Sequence, residues 1–148
     1  MEDTEMIPKK QYEDELRKLR KLYKPNNALS IPVTTILDFF KWWCIFLRPF
    51  ISLTDREIDV VASLLKQRYE LSKGITDPTI LDRIVMDSDV LNRVAEECKI
   101  TRQHLYVVMS SLKKKNVVDK SINPKIVPNI RTDDNGVFKL AVLFKMED

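Results

Sequence analysis

Few residues in this chain are equipped for covalent or metal chemistry. His104 is the single histidine, and Cys44 and Cys98 are the two cysteines. No cysteine or carboxylate stands at ligand spacing from His104, so neither a metal site nor a histidine base is expected. Each cysteine sits in an apolar helical pattern, which fits a reduced core thiol better than a disulfide. Gly74 and Gly136 are the two glycines, and neither belongs to a phosphate-cradling loop. The acid pairs Asp87 with Asp89 and Glu96 with Glu97 fall at helix starts or on a solvated face, where capping accounts for them. The expectation is a non-enzymatic protein with no catalytic residue, metal or cofactor.

A different chemistry is legible further along. Arg102, Gln103, His104, Tyr106 and Ser110 occupy outward positions near the start of a helix predicted from residue 102 to 115, and their donors and acceptors suit base edges in a DNA major groove. Any solvated helix also displays such a face. Lys113 and Lys114, followed by Lys115, fall in the last turn, where they stabilise the helix C-terminus or contact phosphate. Lys120, Lys125 and Arg131, with Lys139 and Lys145, extend the basic surface, either toward a phosphate backbone or as a charged strand edge that discourages aggregation.

The charge distribution agrees with this division of labour. The chain has 148 residues, 44% apolar and 32% charged, with a net charge of +3, the composition of a soluble globular protein. Residues 76–98 hold six acids and two bases, a net −4, whereas residues 99–146 hold ten bases and three acids, a net +7. The acidic start Met1-Glu2-Asp3 lacks the features of a signal peptide, and no apolar run reaches the length of a membrane span. A cytoplasmic location in the cell that makes the protein, with no membrane contact, is therefore expected.

The elements that must position these residues follow from periodicity and caps. Pro8 opens a charged helix over 9–24 with a narrow stripe of Leu16, Leu19, Leu22 and Tyr23, ended by Pro25. Residues 36–47 are apolar nearly all round and are stopped by Pro49, so this helix is either the buried centre or an oligomer interface. Because adjacent helical residues diverge by roughly 100°, Trp42 and Trp43 cannot both face one small core. Leu19, Leu22, Phe39, Trp42, Trp43 and Phe46 are the expected oligomer contacts. Thr54 with Glu57 forms a capping box and Leu53 with Ile58 a hydrophobic staple, starting a helix through Tyr69 that Gly74 should end in a left-handed turn. Asp77-Pro78 and Asp87-Ser88 begin two more helices, and Thr101 begins the helix carrying Arg102. After Asn116 the chain becomes extended, and Asp133-Asp134-Asn135-Gly136 signals a hairpin before the alternating Phe138, Leu140, Val142 and Phe144. The predicted architecture is mainly α with a small β-hairpin: an N-terminal helical extension over 1–49 and a second domain over 50–148.

The order capped helix, helix, tight turn, helix, hairpin over 53–146 resembles winged helix-turn-helix proteins, with residues 100–118 matching their recognition helix and its exit into the wing. The match covers about two thirds of the chain. LTDREIDVV at 53–61 is also similar to the start of response-regulator helix-turn-helix domains, an all-helical fold that the C-terminal hairpin argues against. Together with LKKKNVV and INPKIVPNI, it resembles small helix-turn-helix proteins of tailed phages of Bacteroidetes, crAss-like phages and their relatives. Asn116 stands where winged helices usually have glycine, and no strand precedes the second helix.

Two functions follow as expectations. In the first, the chain is a regulator that binds double-stranded DNA as a homo-oligomer. In the second, the phage likeness implies a structural subunit of the particle, in a ring at the portal or neck, using the same fold for protein contacts and residing in the virion.

Overall fold

A computed structural model describes Lys10, Glu13, Asp14, Arg17, Lys18, residues 31–132, Phe138, Lys139 and Met146. Five helices of four or more residues follow one another from residue 36: α1 (Ile36–Ile51), α2 (Asp55–Ser72), α3 (Pro78–Ile84), α4 (Ser88–Cys98) and α5 (Arg102–Lys114). The chain is thus mainly helical. The leucine stripe over 16–23 lies outside the described residues.

The centre is α2, not the more hydrophobic α1. Thr54 and Glu57 close the predicted capping box, with Thr54 Oγ1 accepting from the Glu57 amide at 3.2 Å and Glu57 Oε1 accepting from the Thr54 amide at 2.8 Å. Beyond this start, Ile58, Val60, Val61, Ala62, Ser63, Leu64 and Leu65 are all buried, so α2 is enclosed over most of its circumference. Each of the other four helices packs against it. Burying side chains of this size contributes roughly 1.5–3 kcal/mol each.

At its far end α2 stops at Ser72 with Lys73 still in right-handed helical conformation, and Gly74 does not take the left-handed turn expected of it. Its last turn is closed instead by the Lys73 amide on Glu70 O and by the amides of Gly74 and Ile75, both bonded to Leu71 O.

Helix α1 begins at Thr35, whose hydroxyl accepts from the Asp38 amide at 3.1 Å. It runs through Pro49, where a stop was expected, and ends when Ser52 turns left-handed at φ 59°. A proline this close to the end forfeits only one backbone bond, and the partial burial of Ile51 against the core carries the chain past it. Phe40 and Cys44 are buried in the same core as Leu64, Leu105 and Leu112. The expected domain boundary at 49/50 therefore falls inside a helix that belongs to the common core.

Short connections join α3, α4 and α5. Asp77 Oδ1 caps α3 by accepting from the Thr79 amide at 2.9 Å, whereas Asp87 makes no side-chain cap bond to α4. Lys99 ends α4 in left-handed conformation at φ 58°, with the Ile100 amide reaching back to Ala95 O at 3.0 Å. Thr101 then caps α5 by accepting from the His104 amide at 3.0 Å. Three residues thus turn one helix into the next.

After α5, Asn116 takes the left-handed position predicted for it, at φ 61°. The extended chain expected to follow is a tight knot instead. Val118 bridges to Ile122, the Asn123 amide donates to Val117 O at 2.9 Å, and a 3₁₀ turn spans Pro124–Ile126. Val117, Val118, Ile122 and Ile126 are buried, so the knot closes the core between α5 and α1. Trp43 Nε1 of α1 donates to Ile126 O at 2.7 Å and fastens it. Trp43→Phe is expected to lower stability by about 1 kcal/mol while leaving the helical circular dichroism unchanged; no loss in a urea titration would show that this bond holds nothing. Further on, β1 (Arg131–Thr132) pairs antiparallel with β2 (Phe138–Lys139) in the register Arg131↔Lys139. The turn signal at 133–136 and the alternating residues 140–144 lie outside the described residues.

Candidate nucleic-acid interface

Helix α5 has two faces with different work. Leu105, Val108 and Leu112 point into the core at spacings of three and four. On the opposite side, Gln103, Tyr106, Val107, Ser110 and Lys114 recur at the same spacing and are exposed. Gln103, Ser110 and Lys114 spend no side-chain hydrogen bond or ion pair within the described residues, so their polar groups are available to a ligand. Val107, exposed at 65%, was not among the residues expected here. Its position one turn after Gln103 and one before Ser110 was the signal; an apolar side chain there can meet a thymine methyl group.

Both ends of the helix are clamped. At the start, Arg102 does not project outward as expected. Its guanidinium donates to Ser88 O at 3.1 Å and to Asn92 Oδ1 at 2.6 Å on α4, and lies 5.5 Å from the Tyr106 ring centroid. Arg102 fixes the angle between the two helices and supports Tyr106, which is itself 62% exposed. Only displacement from α4 would free it to read a base.

At the other end the triple lysine divides. Lys113 pairs loosely with Asp119 at 3.5 Å on the surface, and Lys114 is exposed. Lys115 turns inward and donates to Glu57 Oε1 at 2.6 Å and to Ser52 O at 2.8 Å, while Ser111 Oγ donates to Glu57 Oε2 at 2.7 Å. Burial pushes the Glu57 carboxyl up, but the hydrogen bonds from Lys115, the Thr54 amide and Ser111, with the Lys115 charge, prevail and hold it at about 2. One carboxylate thereby caps α2 and ties the last turn of α5 to it. Sequence spacing revealed the cap but not the tie.

Of the remaining expected contacts, His104, Lys120 and Lys125 are exposed. Lys125 follows Asn123, whose side chain accepts from the Lys125 amide at 3.0 Å and fixes the turn beneath it. The side chains of Arg131 and Lys139, and all of Lys145, lie outside the described residues.

On α1, Trp42 and Phe46 are exposed, whereas Phe39 and Trp43 are partly buried against the core. Phe39 meets Phe40 edge-on at 5.2 Å, and Trp43 is held by Ile126 O. The expected subunit contact is thus halved on this helix, and Leu19 and Leu22 lie outside the described residues.

A shallow cleft of about 240 Å³ between α1, α2 and α4 is lined by Leu37, Lys41, Asp59, Glu97, Cys98 and Lys99. Its chemistry is muted. The Cys98 thiol donates to Asp59 O at 3.4 Å, and burial, helped by the charges of Asp59 and Glu97, pushes it up to about 11, away from the reactive thiolate. Burial alone pushes Cys44 up to about 12. Among the described residues, no group of three histidine, cysteine or acidic side chains could hold a metal ion, and no helix is long and apolar enough to cross a membrane.

Comparison of the chain with protein-family models, with curated proteins and with solved structures returned no match.

Proposed function

We propose that this chain is a non-enzymatic DNA-binding protein of the winged helix-turn-helix type, acting as a regulator. The observation that carries the reading is the outward face of α5, where Gln103, Tyr106, Val107 and Ser110 stand exposed on a helix whose two ends are fixed to the body. A side-chain amide can form paired bonds with adenine, and a rigid scaffold keeps such bonds in register. Lys114, Lys120 and Lys125 supply exposed positive charge that would meet phosphates and set register without reading sequence. The pairing of β1 with β2 stands where the wing would begin.

The test is a titration of fluorescent duplex DNA with the whole protein at several salt concentrations, beside the triple variant Lys114→Ala, Lys120→Ala, Lys125→Ala. Micromolar binding that weakens steeply with salt is expected. The variant should lower the salt slope by roughly 2–3, nearly one for each lysine that no longer meets a phosphate. Gln103→Ala should reduce discrimination between sequences more than it reduces affinity for random DNA. Absence of binding at low salt would end this reading. It would favour a structural subunit of a phage particle, the second reading, which the exposed aromatic residues of α1 support.

A further inference from the structure

Gln103, Val107, Ser110 and Lys114 succeed one another at steps of four, three and four residues, so they form a single exposed line along α5. Leu105, Val108 and Leu112 occupy the buried side. From Lys99 to Val118 the chain carries five bases, Lys99, Arg102, Lys113, Lys114 and Lys115, and no acid. A helix in such a setting suits a polyanion, and the types of side chain on its outward line bear on which bases it reads.

Arginine is the side chain that most often reads guanine, and the one arginine of α5 is spent elsewhere. Arg102 donates to Ser88 O and to Asn92 Oδ1 on α4, and the lysines come only in the last turn and beyond. Gln103 is left to read from the first turn, and a side-chain amide matches the donor and acceptor of adenine. Val107, exposed at 65%, can make no hydrogen bond. Against a polar base edge it would strip water and return nothing, a cost in free energy. The thymine methyl is the one apolar group that base pairs present in the major groove. Four residues of helix set the two side chains about 6 Å apart along the axis, close to two base-pair steps of roughly 3.4 Å. We infer that α5, on the DNA-binding reading on which this rests, selects A·T pairs: Gln103 bonds to an adenine, and Val107 packs on a thymine methyl about two base pairs away.

The test selects the duplexes best bound by the full chain from a random-sequence pool and measures affinity for the most enriched one by anisotropy. That duplex should hold A·T pairs at two positions about two steps apart. Each thymine is then replaced in turn by uracil, which removes the C5-methyl and nothing else. At one position this should weaken the wild type about fourfold, the worth of one methyl group leaving an apolar contact. Val107→Ser should bind the thymine and uracil duplexes equally. Gln103→Ala should lose about tenfold on the enriched duplex and little on one made of G·C pairs. Both residues are exposed, so the circular dichroism of the variants should match the wild type. Binding with no A·T position enriched, with uracil tolerated at every thymine, or with the uracil loss persisting in Val107→Ser would each overturn the inference and leave the DNA reading standing. Absence of salt-dependent binding to the pool itself would remove both.

Discussion

Replacing Phe40 by alanine will lower the stability of the whole chain by about 3–5 kcal/mol, the cost of deleting a buried aromatic side chain and leaving a cavity. Phe40 is 2% exposed, meets Tyr69 of α2 at 6.1 Å between ring centroids, and shares one core with side chains of α4 and α5. Against the 5–15 kcal/mol that usually holds a domain together, the loss is large. Two reporters distinguish a shared core from an appended helix. Both tryptophans, Trp42 and Trp43, lie on α1, so their fluorescence follows that helix, while far-ultraviolet circular dichroism follows all the helices. The two signals should fall together in urea, and both midpoints should shift together in Phe40→Ala. If fluorescence fell first and the dichroism midpoint held, α1 would be a separable extension and the single-core description would be wrong.

Lys115→Met will cost about 3 kcal/mol, because it leaves the Glu57 carboxylate buried at 3% exposure without its cation. Glu57→Gln should cost less, since an amide keeps a capping acceptor and needs no cation. The pH dependence gives a second readout. Glu57 is held at about 2 in the folded chain against an ordinary 4.5. Its contribution is therefore fully present above about pH 4.5 and is lost as the pH falls toward 2, a change of about 3 kcal/mol. Urea midpoints of wild type and Glu57→Gln should converge across this acid range. Parallel curves would mean that the carboxylate gains nothing from its partners in the fold. Because Ser111 lies in the last turn of α5 and Lys115 caps its end, Lys115→Met should also loosen the outward face of that helix. Amide exchange near Ser110 would report this at neutral pH.

The local starts and stops of the helices were written in short stretches of sequence. Thr54 with Glu57, Asp77 before Pro78, Thr101 before Arg102 and the left-handed Asn116 each satisfy or release backbone groups within four residues, and each is found where the sequence placed it. The inward set of α5, Leu105, Val108 and Leu112, was equally legible, because period and polarity agree on that helix. Gly74 and Pro49 were misleading. A permissive glycine need not adopt the conformation it permits, and a proline weakens a helix end without fixing where it falls.

Relations between distant segments could not be read in this way. Periodicity gives the direction of a side chain about its own helix, but not what waits there. Arg102 points to Asn92 because α4 lies beside it, and Lys115 turns from its two lysine neighbours because Glu57 of α2 lies within reach. Trp42 and Trp43 differ in the same way: one meets solvent, and the other meets the knot at residue 126, 83 residues on. Sequence by itself determined the helical character, the helix starts, the free cysteines' apolar settings and the outward polar face of α5, since each depends on neighbours within a turn or two. Only the tertiary structure decided that α2 is the centre, that α1 joins its core and that Arg102 and Lys115 act as clamps. Those outcomes depend on which surfaces meet across the chain, and the free energy of that meeting belongs to pairs of segments that no single stretch of sequence contains.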